Sequence, residues 1–348
     1  MDVKRVCVCG HFGFGENLLN GQTVKTKSVA GAIKKAIGSD QVFRLDTAGG
    51  LRNKFLLPHR LISALRHCKN MIILPAQNGL RMIVPLLVLF NRAFHRSLHY
   101  VVIGGWLPSF LAGNKWLTRM LQGFDGIYVE TQFMKESLEA LGFQNIYLLP
   151  NCKELKLLRE EELVYTTEEP HRLCTFTRVM KEKGIGDAIA AVRMVNEELG
   201  RTAFTLDIYG QIEAGQKKWF HRRQKKFPEY IIYGGVVPYH KSVEVIKDYF
   251  AMLFPTYYEG EGFAGTIIDA HSAGVPIIAS DWKYNREIVQ DGVDGAIIPP
   301  HDPYALHDKL MELLNDPAAW NAMKPACLKR AADYLPSKVI TVLTDKLQ

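Results

Sequence analysis

The sequence predicts an α/β protein built from two parallel-sheet domains. Short apolar runs of strand length alternate with longer amphipathic stretches, the rhythm lapses once near the middle of the chain, and then it restarts. Loops rich in glycine and charge follow several of these runs, and in open parallel sheets ligands gather outside the carboxyl ends of the strands.

In the first half the apolar runs are Val3 to Cys9, Met71 to Leu74, His99 to Ile103, Gly126 to Val129 and Ile146 to Leu149. The longest apolar run, Met82 to Phe90, is about half of what a spanning helix needs, so it reads as a buried helix and no transmembrane segment is expected. After Pro150 the pattern gives way to Glu, Lys and Thr. Residues 152–171 therefore predict a connector with little core of its own, between a first domain of residues 1–151 and a second of residues 172–330. The second half restarts with Leu173 to Phe176, Thr205 to Tyr209, Tyr230 to Tyr233, Ala251 to Phe254, Pro276 to Ala279 and Ala296 to Ile298. Apolar positions at three- and four-residue intervals predict helices at Gly186 to Glu198, Ser242 to Tyr249 and Pro303 to Asn315. Residues 331–348 are expected to form a C-terminal helix that packs back on the first domain.

Composition narrows the class. With 348 residues, 47% hydrophobic and 23% charged, the chain is globular and long enough for two cores. Six cysteines, Cys7, Cys9, Cys68, Cys152, Cys174 and Cys327, lack the spacing of a zinc ribbon or redox motif and predict buried thiols in a reducing compartment. The opening MDVKRVCVCG is a strand pattern rather than a signal peptide, which predicts a cytoplasmic protein. A formal net charge of +7 favours anionic partners such as phosphates, acidic lipids or nucleic acid without choosing among them. The one dense run of cations, Lys217 to Lys226, reads as a solvated basic helix face, with membrane contact as its alternative; no nucleic-acid partner is expected.

Two segments carry the candidate chemistry. Thr177-Arg178-Val179-Met180-Lys181-Glu182-Lys183-Gly184 joins a strand to a helix, where two cations and free helix amides can converge on a diphosphate. The segment from Pro255 to Ala270 also joins a strand to a helix and sets glycines around Glu259 and Glu261. With a helix starting near Gly265, Asp269 lies one turn in. Carboxylates accept hydrogen bonds from sugar hydroxyls and repel phosphate, so the acids suit ribose and hexose and the cations suit the diphosphate. Asp269 has a plainer reading as an acid favoured by the helix dipole. The N-terminal loop Gly10 to Asn17 fails as a dinucleotide fingerprint, because the sixth position from Gly13 is Leu18.

Taken together, TRVMKEKG, YEGEGFAGTIIDAHSAGVPIIASD and NREIVQDGVDGAIIPPHDP resemble the retaining glycosyltransferases of family four, the glycosyltransferases group 1, from about Leu173 to Leu314. The resemblance implies the GT-B fold, two Rossmann-like domains facing across a cleft, with the acceptor on the first and a nucleotide sugar on the second. It implies a catalytic set of Arg178, Lys183 and Glu261, in which the two cations hold the donor diphosphate and Glu261 lies near the donor sugar. Gly21, Gly210, Glu259, Gly262, Phe263, Ala264, Gly265, Thr266 and Asp269 complete the implied donor site. The family usually has glutamate where Asp269 stands. His11, Gly13, Gly104 and Trp106 fall on the acceptor side, and Gly104 occupies the place where many relatives carry a histidine. Glu130-Thr131 and Pro150-Asn151 are given structural or domain-facing roles. Trp282 and Tyr284 are candidates either to shape the sugar pocket or simply to pack.

The implied reaction is hexosyl transfer with retention, from a nucleotide-diphosphate sugar of the UDP type, without cofactor or bound metal. The implied acceptor is a saccharide or lipid-linked saccharide in surface polysaccharide synthesis, with an anionic membrane surface as partner at the inner face of the plasma membrane. Two alternatives stay open: a nucleotide-sugar epimerase of the same fold, and a non-catalytic nucleotide-sugar-binding partner subunit. On this reading Lys183→Ala abolishes transfer and leaves the fold intact.

Overall fold

Val6 to Cys9 are four consecutive residues with no exposed surface, a pattern that requires a strand covered on both faces. Runs of three or more consecutive buried residues recur along most of the described strands, and helices supply the covering layers. The computed structural model describes residues 4–14, 21–49 and 51–348; Gly15 to Asn17, Leu18 and Asn20 of the N-terminal loop lie outside the described residues. The chain divides into two compact units, residues 1–154 with 334–348, and residues 155–333.

Unit 1 holds strands β1 (Lys4–Gly10), β2 (Val42–Asp46), β3 (Cys68–Leu74), β4 (Ser97–Val101), β5 (Gly126–Val129) and β6 (Ile146–Leu148). They form one parallel sheet in the order β2-β1-β3-β4-β5-β6. Its crossover helices are α1 (Gly21–Ile37), α2 (Leu51–His67), α3 (Gln77–Phe94), α4 (Leu107–Ala112), α5 (Lys115–Leu121) and α6 (Gln132–Glu139). Five of the strands match sequence-predicted runs, and β2 is additional. Its edge position exposes Phe43 and Arg44, so the apolar signal that marks the inner strands is missing.

Unit 2 holds β7 (His171–Phe176), β8 (Phe204–Tyr209), β9 (Ile231–Gly235), β10 (Ala251–Phe254), β11 (Ile277–Ser280) and β12 (Gly295–Ile298), all parallel, in the order β12-β11-β10-β7-β8-β9. Around them lie α7 (Ile185–Leu199), α8 (Lys217–Gln224), α9 (Ser242–Ile246), α10 (Gly265–Ser272), α11 (Asn285–Ile288), α12 (Pro303–Asn315), α13 (Pro317–Asn321) and α14 (Lys324–Ala332). Ile185, Val192, Phe204, Leu206, Leu306 and Leu310 belong to its main core, where α7 and α12 pack together.

Three local expectations change. The tail forms two short helices, α15 (Pro336–Val339) and α16 (Thr341–Thr344), rather than one, and Val339, Ile340 and Leu343 pack into the core that α1 and β1 share. Leu158 and Leu163 of the connector are buried, and Leu158 N donates to Ser272 O at 3.1 Å, so this segment contributes to the packing of unit 2. The Met82 to Phe90 run is one stripe of an amphipathic helix, since Ile83, Val84 and Leu87 are buried while Met82 and Leu89 are exposed. All six cysteines are buried free thiols.

Asp46, at the carboxyl end of β2, organises the loop after β1. Its Oδ1 accepts from Phe12 N at 2.9 Å and Ala48 N at 2.8 Å, and its Oδ2 from Phe14 N at 2.9 Å. Burial pushes this carboxyl up, but the backbone donors of Phe14, Ala48 and Phe12 outweigh it and hold the group below its usual range. A depressed carboxyl pKa stabilises the fold above the ordinary carboxylate range, and that contribution is lost as pH falls through the folded value. Asp46→Ala should lower stability by about 2 kcal/mol at neutral pH. In urea unfolding, the gap between variant and wild type should narrow below about pH 4, where unfolded aspartates become protonated; a gap independent of pH would refute the charge-assisted role.

Candidate donor site

The strand order of unit 2 reverses between β7 and β10: β8 and β9 build outward on one side, β11 and β12 on the other. Crossovers leaving such a pair run in opposite directions and open a crevice at the carboxyl ends of the strands. The cation-bearing loop follows β7 and the acid-bearing loop follows β10, so the two candidate segments end up side by side.

Glycine lets the loops close on each other. Gly184 has φ of +70°, and a Cβ there would lie 2.0 Å from the carbonyl oxygen of Pro255. Gly210, after β8, has φ of +135°, and a Cβ would lie 1.8 Å from the carbonyl oxygen of Thr177. Main-chain bonds complete the fastening: Tyr257 N to Glu182 O at 2.8 Å, Thr177 N to Tyr209 O at 3.1 Å and Val179 N to Gln211 O at 2.9 Å. The hydroxyl of Thr266, in the first turn of α10, donates to Phe176 O at the end of β7.

The cations occupy different environments. Lys183 is buried and forms an ion pair with the buried Glu261, which also accepts the Thr256 hydroxyl at 2.9 Å. Burial depresses the Lys183 ammonium, with Glu261 acting against that effect and Arg178 adding to it. Arg178 is half exposed and pairs with Glu213 at 3.1 Å. Tyr258 lies near both, with its ring centroid 5.3 Å from the Arg178 guanidinium carbon and 5.1 Å from Lys183 Nζ.

The three acids occupy three different settings. Glu261 is tied to a cation. Asp269, buried in α10, accepts the Ser242 hydroxyl at 2.8 Å. Glu259 is exposed and pairs with Lys283 at 2.7 Å. Ser242 Oγ also lies 2.9 Å from Tyr239 O, and its single proton goes preferentially to the charged carboxylate. Gly262, Phe263 and Ala264 are buried beside Glu261, and Gly265 opens α10. Tyr284 is buried, whereas the Trp282 indole donates to Tyr258 O at 2.9 Å and so braces the acid loop. Among the described residues, no group of three or more His, Cys, Asp or Glu side chains could hold a metal ion.

In unit 1, His11 Nδ1 lies 2.9 Å from the Thr23 hydroxyl, and Gly13 has φ of +59° in the loop that Asp46 caps. Gly104 has φ of +80°, where a histidine would be strained. The Trp106 indole donates to Ile103 O at 2.8 Å, and its ring meets Phe110 edge-on. Gly21 opens α1, and a Cβ added there would meet nothing within 4 Å among the described residues. Glu130 pairs with buried Lys25, and Thr131 caps α6 through Met134 N at 3.3 Å. Sequence reasoning missed Lys25, Asp46, Glu213, Ser242, Thr256 and Tyr258. Their roles come from contacts made across the fold, although a threonine and tyrosines beside the EGEG run were a signal available in the sequence.

Residues 162–330 match the family model described as glycosyl transferases group 1. The match takes in just under half of the chain, from within the connector into α14. It is 31% identical over 160 residues to the GtfA subunit of a UDP-N-acetylglucosamine–peptide N-acetylglucosaminyltransferase of Streptococcus agalactiae, covering 45% of this chain and 29% of that one. It is 26% identical over 149 residues to the amylovoran biosynthesis glycosyltransferase AmsK of Erwinia amylovora, covering 42% and 36%. The chain thus spans less than half the length of these curated relatives. The crystal structure of Anabaena HepE in complex with UDP matches with a TM-score of 0.76 at 12% identity, covering 98% of each chain, which shows a shared GT-B fold.

The glycine contacts between the two loops can be tested directly. Gly184→Ala should lower stability by about 3 kcal/mol through steric overlap and left-handed backbone strain. A variant with wild-type thermal midpoint would show that the Pro255 contact does not hold the loops together.

Proposed function

We propose that this chain is a retaining glycosyltransferase that moves a hexosyl unit from a UDP-linked sugar to a saccharide or lipid-linked saccharide acceptor in surface polysaccharide synthesis. The observation that carries the reading is the convergence of Arg178, Lys183 and Glu261 around Tyr258 at the strand-order reversal, inside the segment that matches the family. HepE was crystallised with UDP and AmsK is named for biosynthesis of amylovoran, which supports the donor and the polysaccharide role.

The proposed chemistry needs no metal. Breaking the anomeric bond leaves charge on the departing diphosphate, and preorganised cations stabilise that charge without reorganising solvent. An ammonium has three donors, so Lys183 can keep Glu261 and still meet phosphate oxygens. An exposed ion pair is worth about 0–1 kcal/mol, so Arg178 can leave Glu213 for the diphosphate at little cost. Glu261 orients Lys183 and faces the donor sugar, while Asp269, positioned by Ser242, serves the ribose. On the acceptor side His11, Gly13, Gly104 and Trp106 remain the assigned positions.

Burial of the Lys183–Glu261 pair changes what Lys183→Ala would report. Truncation leaves a carboxylate buried without its cation and costs about 3–5 kcal/mol, so inactivity of that variant alone would not isolate chemistry. Arg178→Ala is the cleaner test. Turnover of UDP-sugar should fall by about 10²-fold to 10³-fold with an unchanged thermal midpoint. Wild-type turnover in Arg178→Ala would remove the diphosphate assignment, and UDP binding with no donor turnover by the wild type would favour the non-catalytic partner subunit.

Retention is tested separately. Proton NMR of the first product formed from an α-linked UDP-sugar should show an α-anomer. A β-linked product would refute retention, and donor isomerisation without acceptor would identify an epimerase.

A further inference from the structure

Between Asp46 and Asp125 the chain contains no acidic residue and ten lysines and arginines, more positive charge than the +7 of the whole protein. The cations are spread along the sequence, so no dense run marks them. This tract builds α2, α3 and α5, with α2 packed on α3 and α3 on α5. Helix α1 packs instead against α15 and α16.

The outward stripes of the three helices carry apolar groups among their cations. On α2, Phe55 is 83% exposed, with Leu56, His59, Ile62 and Arg66 exposed along the same stripe. On α3, Leu89 is 56% exposed beside Arg92, and Met82 beside Arg81; on α5, Trp116 is 49% exposed between Lys115 and Arg119. Large apolar side chains held in water at helical spacing mark an interaction surface. Aromatic rings interleaved with cations fit a lipid headgroup layer, where rings enter the acyl boundary and cations meet phosphates.

Helix α8, the stretch singled out in the sequence, lacks this combination. Phe220 is fully buried and Trp219 packs against the core of unit 2, which leaves α8 an outer face of lysines and arginines with nothing to insert.

We propose that the outer face of α2, α3 and α5 docks on an anionic phospholipid bilayer. Each cation near such a surface contributes about 1 kcal/mol, and the tract itself carries no carboxylate to offset that attraction. The proposal concerns unit 1 and stands independently of the transfer reaction.

Flotation of the full chain with vesicles of phosphatidylcholine, with and without phosphatidylglycerol, tests it. The protein should float with the anionic vesicles and stay behind with the neutral ones. Arg66→Glu/Arg92→Glu/Arg119→Glu should reduce the bound fraction at least tenfold, and Phe55→Ser/Leu89→Ser/Trp116→Ser at least fivefold. Lys217→Glu/Lys218→Glu/Arg222→Glu on α8 should leave binding unchanged. Circular dichroism spectra matching wild type show that each variant is folded. The proposal is overturned by failure to float, by loss of binding in the α8 variant, or by charge-dependent binding that the serine variant does not alter. The last result, together with equal affinity for a single-stranded oligonucleotide, would identify a nucleic-acid surface instead.

Discussion

The candidate donor site depends on the adjacency of β7 and β10, two strands separated by about eighty residues of sequence and joined in the sheet only where the strand order turns back. Sheet pairing sets the distance between the loops that follow them, and Gly184 and Gly210 remove the side chains that would hold those loops apart. Lys183 can be buried because Glu261 arrives from the other loop, and Glu261 can be buried for the same reason. Neither ionised group would be tolerated there alone, since the desolvation of each is offset mainly by the other. The geometry of the site is therefore a property of the paired loops.

The two cations divide the work that charge can do in a crevice. A buried, ion-paired lysine is fixed in position and has little to reorganise, which suits stabilising charge that develops at one place. A half-exposed arginine paired with Glu213 is mobile at low energetic cost and presents a planar fork suited to phosphate oxygens. The Tyr258 ring lies close to both cations.

Most of the scaffold was legible in the sequence because buried parallel strands write themselves as apolar runs. All six strands of unit 2 and five of unit 1 fall on such runs, and the start of α10 at Gly265 follows from local turn chemistry. β2 was not legible, because an edge strand exposes residues such as Phe43 and Arg44 that break the run. The candidate site residues were named by motif, but their partners were not. Periodicity places Glu261 in a loop and Asp269 on a helix, yet it cannot show that one answers a lysine seventy-eight residues away while the other answers Ser242. Those pairings are set by which strands are neighbours. Asp269 on α10 meets the buried hydroxyl of Ser242, which opens α9.

Charge shows the same limit from the other direction. Adjacent cations such as those of Lys217 to Lys226 draw attention in a sequence, but a helix exposes them on separate sides and here turns its aromatic residues inward. Dispersed cations in a tract without acids carry no local signature, yet the packed helices α2, α3 and α5 bring Arg60, Arg66, Arg81, Arg92, Lys115 and Arg119 onto neighbouring elements. What a long-range field senses is the balance of charge over a surface a Debye length across, about 8 Å at physiological salt, rather than the density of charge along the chain. A missing carboxylate matters as much there as an added lysine. For this reason the acid-free crossovers of unit 1, and not the most basic segment of the sequence, provide the more coherent positive surface.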